Sequence, residues 1–512
     1  MKPKMNLTTD PWIPVVWKNG QPGLVSLCEA FENGDQIQDL SVRPNERIAL
    51  MRLLLCITQA ALDGPANKDD WRTCKERIKV KTLDYLKKWH SAFELFGDGP
   101  RFLQVGGLKA KPKNNKTAKP DDECEDEEGV GDVSKLDLSL ATGNNTRLFD
   151  NAGGSGRSFS PAQLALMLLS FQCFSPGGRI GILLWQGIDT PGDGTSGHAP
   201  CLPSSMLHTF VRGLDLMDTI FLNLITKDTV KIILGMEKWG SPIWENMPVN
   251  GTSSDAIRNA TETYLGRLVP LSRTIYLADD YASFMLANGL KYDPGIRELS
   301  ATIIMKSDGS DRIIKGISLD KSLWRELHSL FVIKVASNSI GGPLALANLD
   351  GNQAVDLWTG GLAADKAKLL DVVESIFHVP HQMFQDAGQQ IYQNGVGFSE
   401  SISKKMGDAV GFYCEQIKDG SDRKKAAHAR YWTAIEGEVP KLLSLLENPA
   451  PLGAEGHYYQ TAWGKAVLRS ARIAYDHACP RGTPRQIQAH ALGLKVLFRN
   501  QKPSKTKTEA AV

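Results

Sequence analysis

Thr461-Ala462-Trp463-Gly464-Lys465-Ala466-Val467-Leu468-Arg469-Ser470-Ala471-Arg472-Ile473-Ala474-Tyr475-Asp476-His477-Ala478 carries one seam of apolar and small residues, Trp463, Val467, Ala471, Ala474 and Ala478. Steps of three and four residues put these side chains on one face of a helix. The same periodicity marks Ser399 to Ile417, Lys424 to Leu446 and Pro484 to Phe498. Short loops near Gly420, Pro449 to Gly456 and Pro480 to Gly482 separate the four. Four long amphipathic segments joined by short loops predict a four-helix bundle over residues 381–502. The stretch Ala364 to Phe377 reads as a helix leading into it, and residues 503–512 as a disordered tail.

Upstream the pattern changes. Trp12 to Trp17 reads as a strand, with Lys18-Asn19-Gly20-Gln21 as its turn. Ser26 to Ala30 looks like a helix start. Pro44 opens a long apolar helix through Leu62, and Trp71 to Phe96 reads as a second, with Trp89 and Phe93 on one face. Ser160-Pro161 is an N-cap and first-turn pair for a helix to about Phe174. Ile220 to Ile225, Ser300 to Met305 and Arg312 to Ile317 are strand-like, and Ser322 to Ser337 is helix-like. The fold class is therefore α+β: a large mixed domain over residues 1–380, then the bundle. Within the mixed domain, residues 108–135 have lysines, then a run of acids, and almost no large apolar side chain. Such a segment cannot bury enough surface to order itself, so a mobile loop is expected, either idle or ordered by a partner.

The bulk numbers narrow the functional classes. A chain of 512 residues with 42% apolar content is long enough for two or three domains. The longest apolar run, Ile48 to Leu62, is interrupted by Arg52, Thr58 and Gln59 and is too short to span a bilayer. No apolar signal core follows Met1-Lys2-Pro3-Lys4, so the expected location is cytoplasmic, with no membrane partner. None of the eight cysteines shares metal-ligand spacing with another, which suits reduced thiols. The net charge of +2 is small for a free-standing nucleic-acid binder, and leaves room for local patches beside partners that supply phosphate contacts.

The candidates for chemistry are few. Asp371, Glu374 and His378 would share a face if their segment is helical, the one arrangement that could support a metal-dependent nuclease or hydrolase. Apolar residues between them would turn the charges to solvent, so no catalytic or metal site is assigned. Gly153-Gly154-Ser155-Gly156 lacks both the preceding strand and the lysine of a phosphate loop. Gly177-Gly178 reads either as a helix stop or as a place where backbone amides can approach a narrow groove. Asp350-Gly351-Asn352-Gln353, between Pro343 to Ala347 and Val355 to Trp358, reads as a turn at a hairpin tip. Its amide side chains could remain in solvent or reach a flat partner.

Three segments together carry a resemblance. They are Asn6-Leu7-Thr8-Thr9-Asp10-Pro11-Trp12-Ile13-Pro14-Val15, Phe210-Val211-Arg212-Gly213-Leu214-Asp215 with Leu222-Asn223-Leu224, and Gly351-Asn352-Gln353-Ala354. In this order, with the helical C-terminal quarter, the chain resembles the CasA family, the large subunit of the type I-E CRISPR Cascade complex. The resemblance implies a non-catalytic subunit without cofactors. Its implied partners are a guide RNA with the Cascade backbone and small subunits, target double-stranded DNA, and a helicase–nuclease effector. It implies recognition of a protospacer-adjacent motif (PAM) through the minor groove by Gly177, Gly178 and Arg179, with Lys291 or Arg273 as the groove cation. It gives Gln353, beside Asn352, the role of a wedge under the first target base pair. It implies that Leu148, Phe149, Asp150 and Asn151 seat the subunit against the guide complex. Finally, it places the basic stripe Lys465, Arg469 and Arg472 near the displaced strand. The runner-up reading is a metal-dependent nuclease or hydrolase on the Asp371, Glu374 and His378 face, and a third is a pure scaffold without DNA contact.

Overall fold

The helix Pro44–Leu62 organises the larger part of the molecule. Pro44 fits the first turn, where its missing N–H is not needed, and Glu46 accepts from the backbone N–H of Arg43 at 3.0 Å. Fourteen of its nineteen residues are buried, so it is enclosed on nearly every side rather than amphipathic. The helices Lys68–Lys88, Pro161–Phe174 and Tyr264–Leu268 pack against it. This computed structural model describes residues 4–111, 129–139, 157–178, 180–192, 199–235, 238–306, 309–332, 340–365, 368–419, 422–453 and 457–498. The chain divides into two compact units. The larger is residues 1–319, 332–350 and 356–377, and the smaller is residues 320–331, 351–355 and 378–512.

Around its central helices the larger unit sets small antiparallel sheets. Pro22–Val25, Ile13–Trp17 and Ile37–Leu40 form one in that order. Trp12 is buried and its Nε1 donates to the Leu7 carbonyl at 3.0 Å, so the opening motif is a structural staple. A second sheet runs His208–Arg212, Val355–Asp365, Lys368–Val379, with Phe210 opposite Trp358. Asn223 finishes the free side of its first strand: it accepts from the Val211 N–H at 3.0 Å and donates to the Val211 carbonyl at 2.6 Å. A third sheet runs Arg273–Leu277, Ser283–Asn288, Val130–Asp132, with Arg273 opposite Asn288.

The core of this unit contains an ionic cluster. Arg52 and Arg267 both reach Glu298, and all three are at most 4% exposed. Arg52 also donates to the Leu268 carbonyl, and Arg267 to the carbonyls of Thr261 and Asp293. Burial alone would raise the Glu298 pKa, but the two guanidiniums overcome it and hold the carboxyl below its ordinary range.

In the smaller unit the helix Asp386–Ile417 is the common neighbour of Arg423–Glu436, Val439–Glu447, Ala462–Ala478 and Pro484–Leu497. The whole Trp463 to Ala478 seam is buried. Gly395 lets the helices close: a Cβ there would stand 2.3 Å from Leu442 Cδ1. The segment 320–331 contributes a 3₁₀ turn, Leu323–Phe331, to this core. Trp324 packs between Trp432 and Trp463, with ring centroids 6.2 and 5.7 Å away, and its carbonyl accepts from the Tyr392 hydroxyl. Arg325 lies 3.9 Å over the Trp432 ring and pairs with Glu400 at 2.6 Å.

The α+β class with a helical C-terminal region is therefore observed. Several local expectations are not. Ala364 to Phe377 is not helical but belongs to the strands Val355–Asp365 and Lys368–Val379. Val372, Val373 and Ile376 are β-branched, and that preference prevails over the apparent helical spacing. Ile220 to Ile225 is not a strand: Asp215 caps a helix, Leu216–Leu222, that includes its start. The helix after Trp71 stops at Lys88, and a 3₁₀ turn and a strand, Glu94–Phe96, follow. The 322–337 helix is the 3₁₀ turn just described, with residues 333–339 outside the described residues. The 108–135 loop is strand at both described ends, Leu108–Lys109 and Val130–Asp132; residues 112–128 lie outside the described residues, as does the 503–512 tail. The seven described cysteines are free thiols. Among the described residues, no helix is long and apolar enough to cross a membrane.

Glu298→Gln should lower unfolding free energy by about 3–5 kcal/mol, because it leaves two buried guanidiniums facing a neutral amide; urea titration of the purified chain measures it. His208 is fully buried, its Nε2–H donating to the Cys201 carbonyl (3.0 Å) and its Nδ1 accepting from Ser300 (2.8 Å), so it is held neutral. Burial depresses it from 6.5 to about 4. Below pH 6.5 the unfolded chain takes up a proton that the folded chain refuses, so stability should fall by about 3 kcal/mol between pH 6.5 and 4. Urea midpoints at pH 7 and 5 should show the fall, and His208→Gln should shrink it.

Candidate nucleic-acid interface

The glycine pair sits just past the C-terminus of the helix Pro161–Phe174. That end is fastened to the start of the strand Arg273–Leu277. The Gln172 side chain accepts from the Arg273 backbone N–H at 2.9 Å and donates to its carbonyl at 2.9 Å. Ser272 Oγ donates to the Gln172 carbonyl at 2.7 Å. The chain then leaves through Ser175 and Pro176 to Gly177 and Gly178, both half-buried. Gly178 has φ +148° and a Cβ on it would find nothing within 4 Å. The backbone here is open to approach, in a conformation that favours glycine.

Arg273, one of the two expected groove cations, is not at the surface at all. It is fully buried. Its Nε donates to Ser175 Oγ (2.6 Å), its Nη2 to the Pro176 carbonyl (2.7 Å), and its Nη1 to Asn288 Oδ1 (2.6 Å). Burial lowers its pKa to about 10. It cannot reach a ligand from there, so Arg273 is not the groove cation.

Lys291 is exposed and flanked by two anchors. Leu290 and Tyr292 are each 3% exposed, and the Tyr292 hydroxyl accepts from the Leu271 N–H at 2.8 Å. Gly289 passes so close to the Leu271 carbonyl that a Cβ would stand 2.4 Å from it. The cation is thus presented on a tightly seated turn, at the end of the hairpin whose Asn288 is bonded to Arg273. Ser175 and Pro176, at the root of the glycine pair, and Asn288, three residues before Lys291, meet at Arg273.

Asn352, Gln353 and Ala354 are three consecutive exposed residues. They do not form a β-hairpin tip. A 3₁₀ turn, Leu344–Asn348, precedes them and the strand Val355–Asp365 follows. Within the larger unit, Asp350 pairs with Lys68 at 2.9 Å and Arg72 at 3.1 Å; these hydrogen bonds, Lys68 first, lower its pKa. Within the smaller unit, Gly351 has φ +66° and a Cβ on it would stand 3.0 Å from Phe384 Cβ, so both backbone and space favour glycine. The amide residues are therefore held by specific neighbours on their N-terminal side.

On the helix Ala462–Ala478, Lys465, Arg469 and Arg472 are all exposed, opposite the buried seam. Arg472 pairs with Asp476 at 3.0 Å, and Asp476 also accepts from His490. The Asp371/Glu374/His378 face does not exist as expected. On a strand, Asp371 and Glu374 point to opposite sides, and Glu374 accepts from Trp358 Nε1 at 2.8 Å. Among the described residues, no group of three or more His, Cys, Asp or Glu side chains could hold a metal ion. Arg179, Leu148, Phe149, Asp150 and Asn151 lie outside the described residues. Sequence reasoning missed the anchoring role of Arg273, whose signal was faint: one arginine opening the five-residue strand Arg273–Leu277.

The model of a family described as CRISPR-associated protein Cse1 matches residues 6–474. A CRISPR-associated protein CasA/Cse1 of Thermus thermophilus is 26% identical over 544 residues, covering 97% of this chain and 96% of that one. The crystal structure of Thermobifida fusca Cse1 superposes with a TM-score of 0.76 at 19% identity, covering 97% of each chain. A chain of a structure described as a CRISPR RNA-guided surveillance complex superposes with a TM-score of 0.69 at 16% identity, covering 97% of this chain and all of that one. At these identities the two structural likenesses show a shared fold.

Proposed function

Because this chain belongs to the Cse1 family of CRISPR-associated proteins, we propose that it is the large, non-catalytic subunit of a type I-E RNA-guided surveillance complex. In that role it recognises the PAM of a target duplex and begins strand separation. The observation that carries the reading is the exposure of Asn352 and Gln353 directly after a glycine fixed at positive φ.

Recognition works through the minor groove. That groove presents the adenine N3 and thymine O2 acceptors, and guanine adds one donor. Backbone N–H groups at Gly177 and Gly178 donate to such acceptors without a side chain in the way, and Lys291 adds a cation that a narrow groove attracts. Arg179 would add a second. Gln353 then enters beneath the motif and replaces one base-stacking contact. Unstacking costs a few kcal/mol per step, which the groove contacts must offset. From there the guide RNA pairs with the opened strand, so base pairing reads the remaining sequence.

The other assignments follow the same reading. Leu148 to Asn151 seat the subunit on the guide RNA and the neighbouring backbone subunits. The helical unit, residues 381–502, turns Lys465, Arg469 and Arg472 toward the displaced strand and the small subunits, and helps to recruit the helicase–nuclease effector. The net charge of +2 fits a subunit that leaves most phosphate contacts to its companions.

Gln353→Ala, in the assembled complex, should weaken binding to closed motif-bearing duplex about tenfold, the effect of roughly 1.4 kcal/mol. A target whose first base pair is pre-melted should bind the variant and the wild type equally. Equal binding of both targets by both proteins would leave only a scaffold. Gly178→Asp should weaken motif-bearing duplex by about tenfold or more, since it adds bulk and negative charge where the groove must close in. Filter binding at fixed salt measures it, and unchanged affinity would remove the groove assignment.

A further inference from the structure

We propose that Arg273 is the positioning residue that sets the glycine pair and Lys291 in one register, so that motif specificity depends on a side chain that never touches DNA. The proposal rests on the groove reading of Gly177, Gly178 and Lys291 given above.

The geometry singles this residue out. A guanidinium is a rigid planar fork, and its three nitrogens here engage three acceptors on two different segments, the stretch leaving the helix Pro161–Phe174 and the last residue of the strand Ser283–Asn288. Two lie at the root of the glycine segment, Ser175 Oγ and the Pro176 carbonyl, and the third is Asn288 Oδ1, three residues before Lys291. The backbone of Arg273 is itself clamped by Gln172, so the fork stays fixed relative to both segments. Gly178 lies two residues beyond the Pro176 carbonyl, and a Cβ there would find open space, so packing around it does little to fix its position. Its placement is inherited from Ser175 and Pro176. Lys291 inherits its placement from Asn288, and from the seating of Leu290 and Tyr292. One side chain thus joins the two recognition elements.

The acceptors also explain why arginine is needed. All three are neutral oxygens. A lysine would keep the charge but offers one ammonium in place of a fork, and cannot span the Ser175, Pro176 and Asn288 acceptors together.

The test uses the assembled guide-RNA complex carrying Arg273→Lys, with Gly178→Asp as reference. Two quantities are read: the ratio of affinities for motif-bearing and motif-free duplex, and amide hydrogen exchange at residues 175–178 and 288–292. The proposal expects the ratio to fall about tenfold, motif-free affinity to stay the same, and exchange to rise in both segments together. Asn288→Asp, which keeps an acceptor for Nη1 and adds a charge to hold it, should preserve the ratio. If Arg273→Lys does not assemble, Ser175→Ala is read in its place, with an expected fall of about threefold. An unchanged ratio in a complex whose Gly178→Asp form has lost discrimination overturns the proposal. So does an equal loss of affinity for both duplexes, which marks a merely structural residue. If Gly178→Asp has no effect, the groove reading itself has failed; exchange that rises in only one segment refutes the coupling on its own.

Discussion

Buried guanidiniums hold the larger unit together. Glu298 accepts from both Arg52 and Arg267, and these two arginines between them take carbonyls at Thr261, Arg267, Leu268 and Asp293. Burying three charged groups is costly unless each hydrogen bond is made, and here one carboxylate serves two cations whose remaining donors find backbone oxygens. The result is a core in which the central helix, the Tyr264–Leu268 helix and the segment from Asp293 to Glu298 have little freedom to slide. Hydrophobic packing alone tolerates small shifts, whereas directional hydrogen bonds do not.

That rigidity reaches the surface through short lever arms. Lys291 lies between a hairpin end bonded to Arg273 and a segment whose Asp293 carbonyl is bonded to Arg267. The glycine pair hangs from Ser175 and Pro176, which Arg273 grips. Charge is thus used in two ways. Inside, arginines fix backbone; outside, exposed cations such as Lys291, Lys465 and Arg469 are available to a polyanion. This separation is compatible with a near-neutral chain, because the buried cations are structural and add little to the field at the surface.

The sequence made some of this legible and hid the rest. Long, strongly periodic helices were readable: Pro44–Leu62 and Pro161–Phe174 have capping residues and proline at their starts, and Ala462–Ala478 has its seam. The long helix was foreseen only from Ser399, because Gly388, Gly395 and Gly397 disguise its first turns. Between Ala364 and Phe377 apolar residues fall at spacings that suit either helix or strand, and only pairing with His208–Arg212 and its neighbour decides. The exposure of Asn352 and Gln353 was legible from local polarity, but the turn that carries them was not, since its flanks are a 3₁₀ turn and a strand. Arg273 could not be placed from sequence, because whether an isolated arginine lies in the core or at the surface depends on partners a hundred residues away, at Ser175 and Pro176.

In its proposed role Gln353 opens the first target base pair before the guide pairs with it. Permanganate oxidation of a thymine placed in the first target base pair tests this directly, using a surveillance complex whose guide has no complement beyond the motif. The account predicts that this thymine becomes reactive when the complex contains the intact chain and the duplex carries the motif. A thymine that stays protected until a complementary guide is supplied would contradict it.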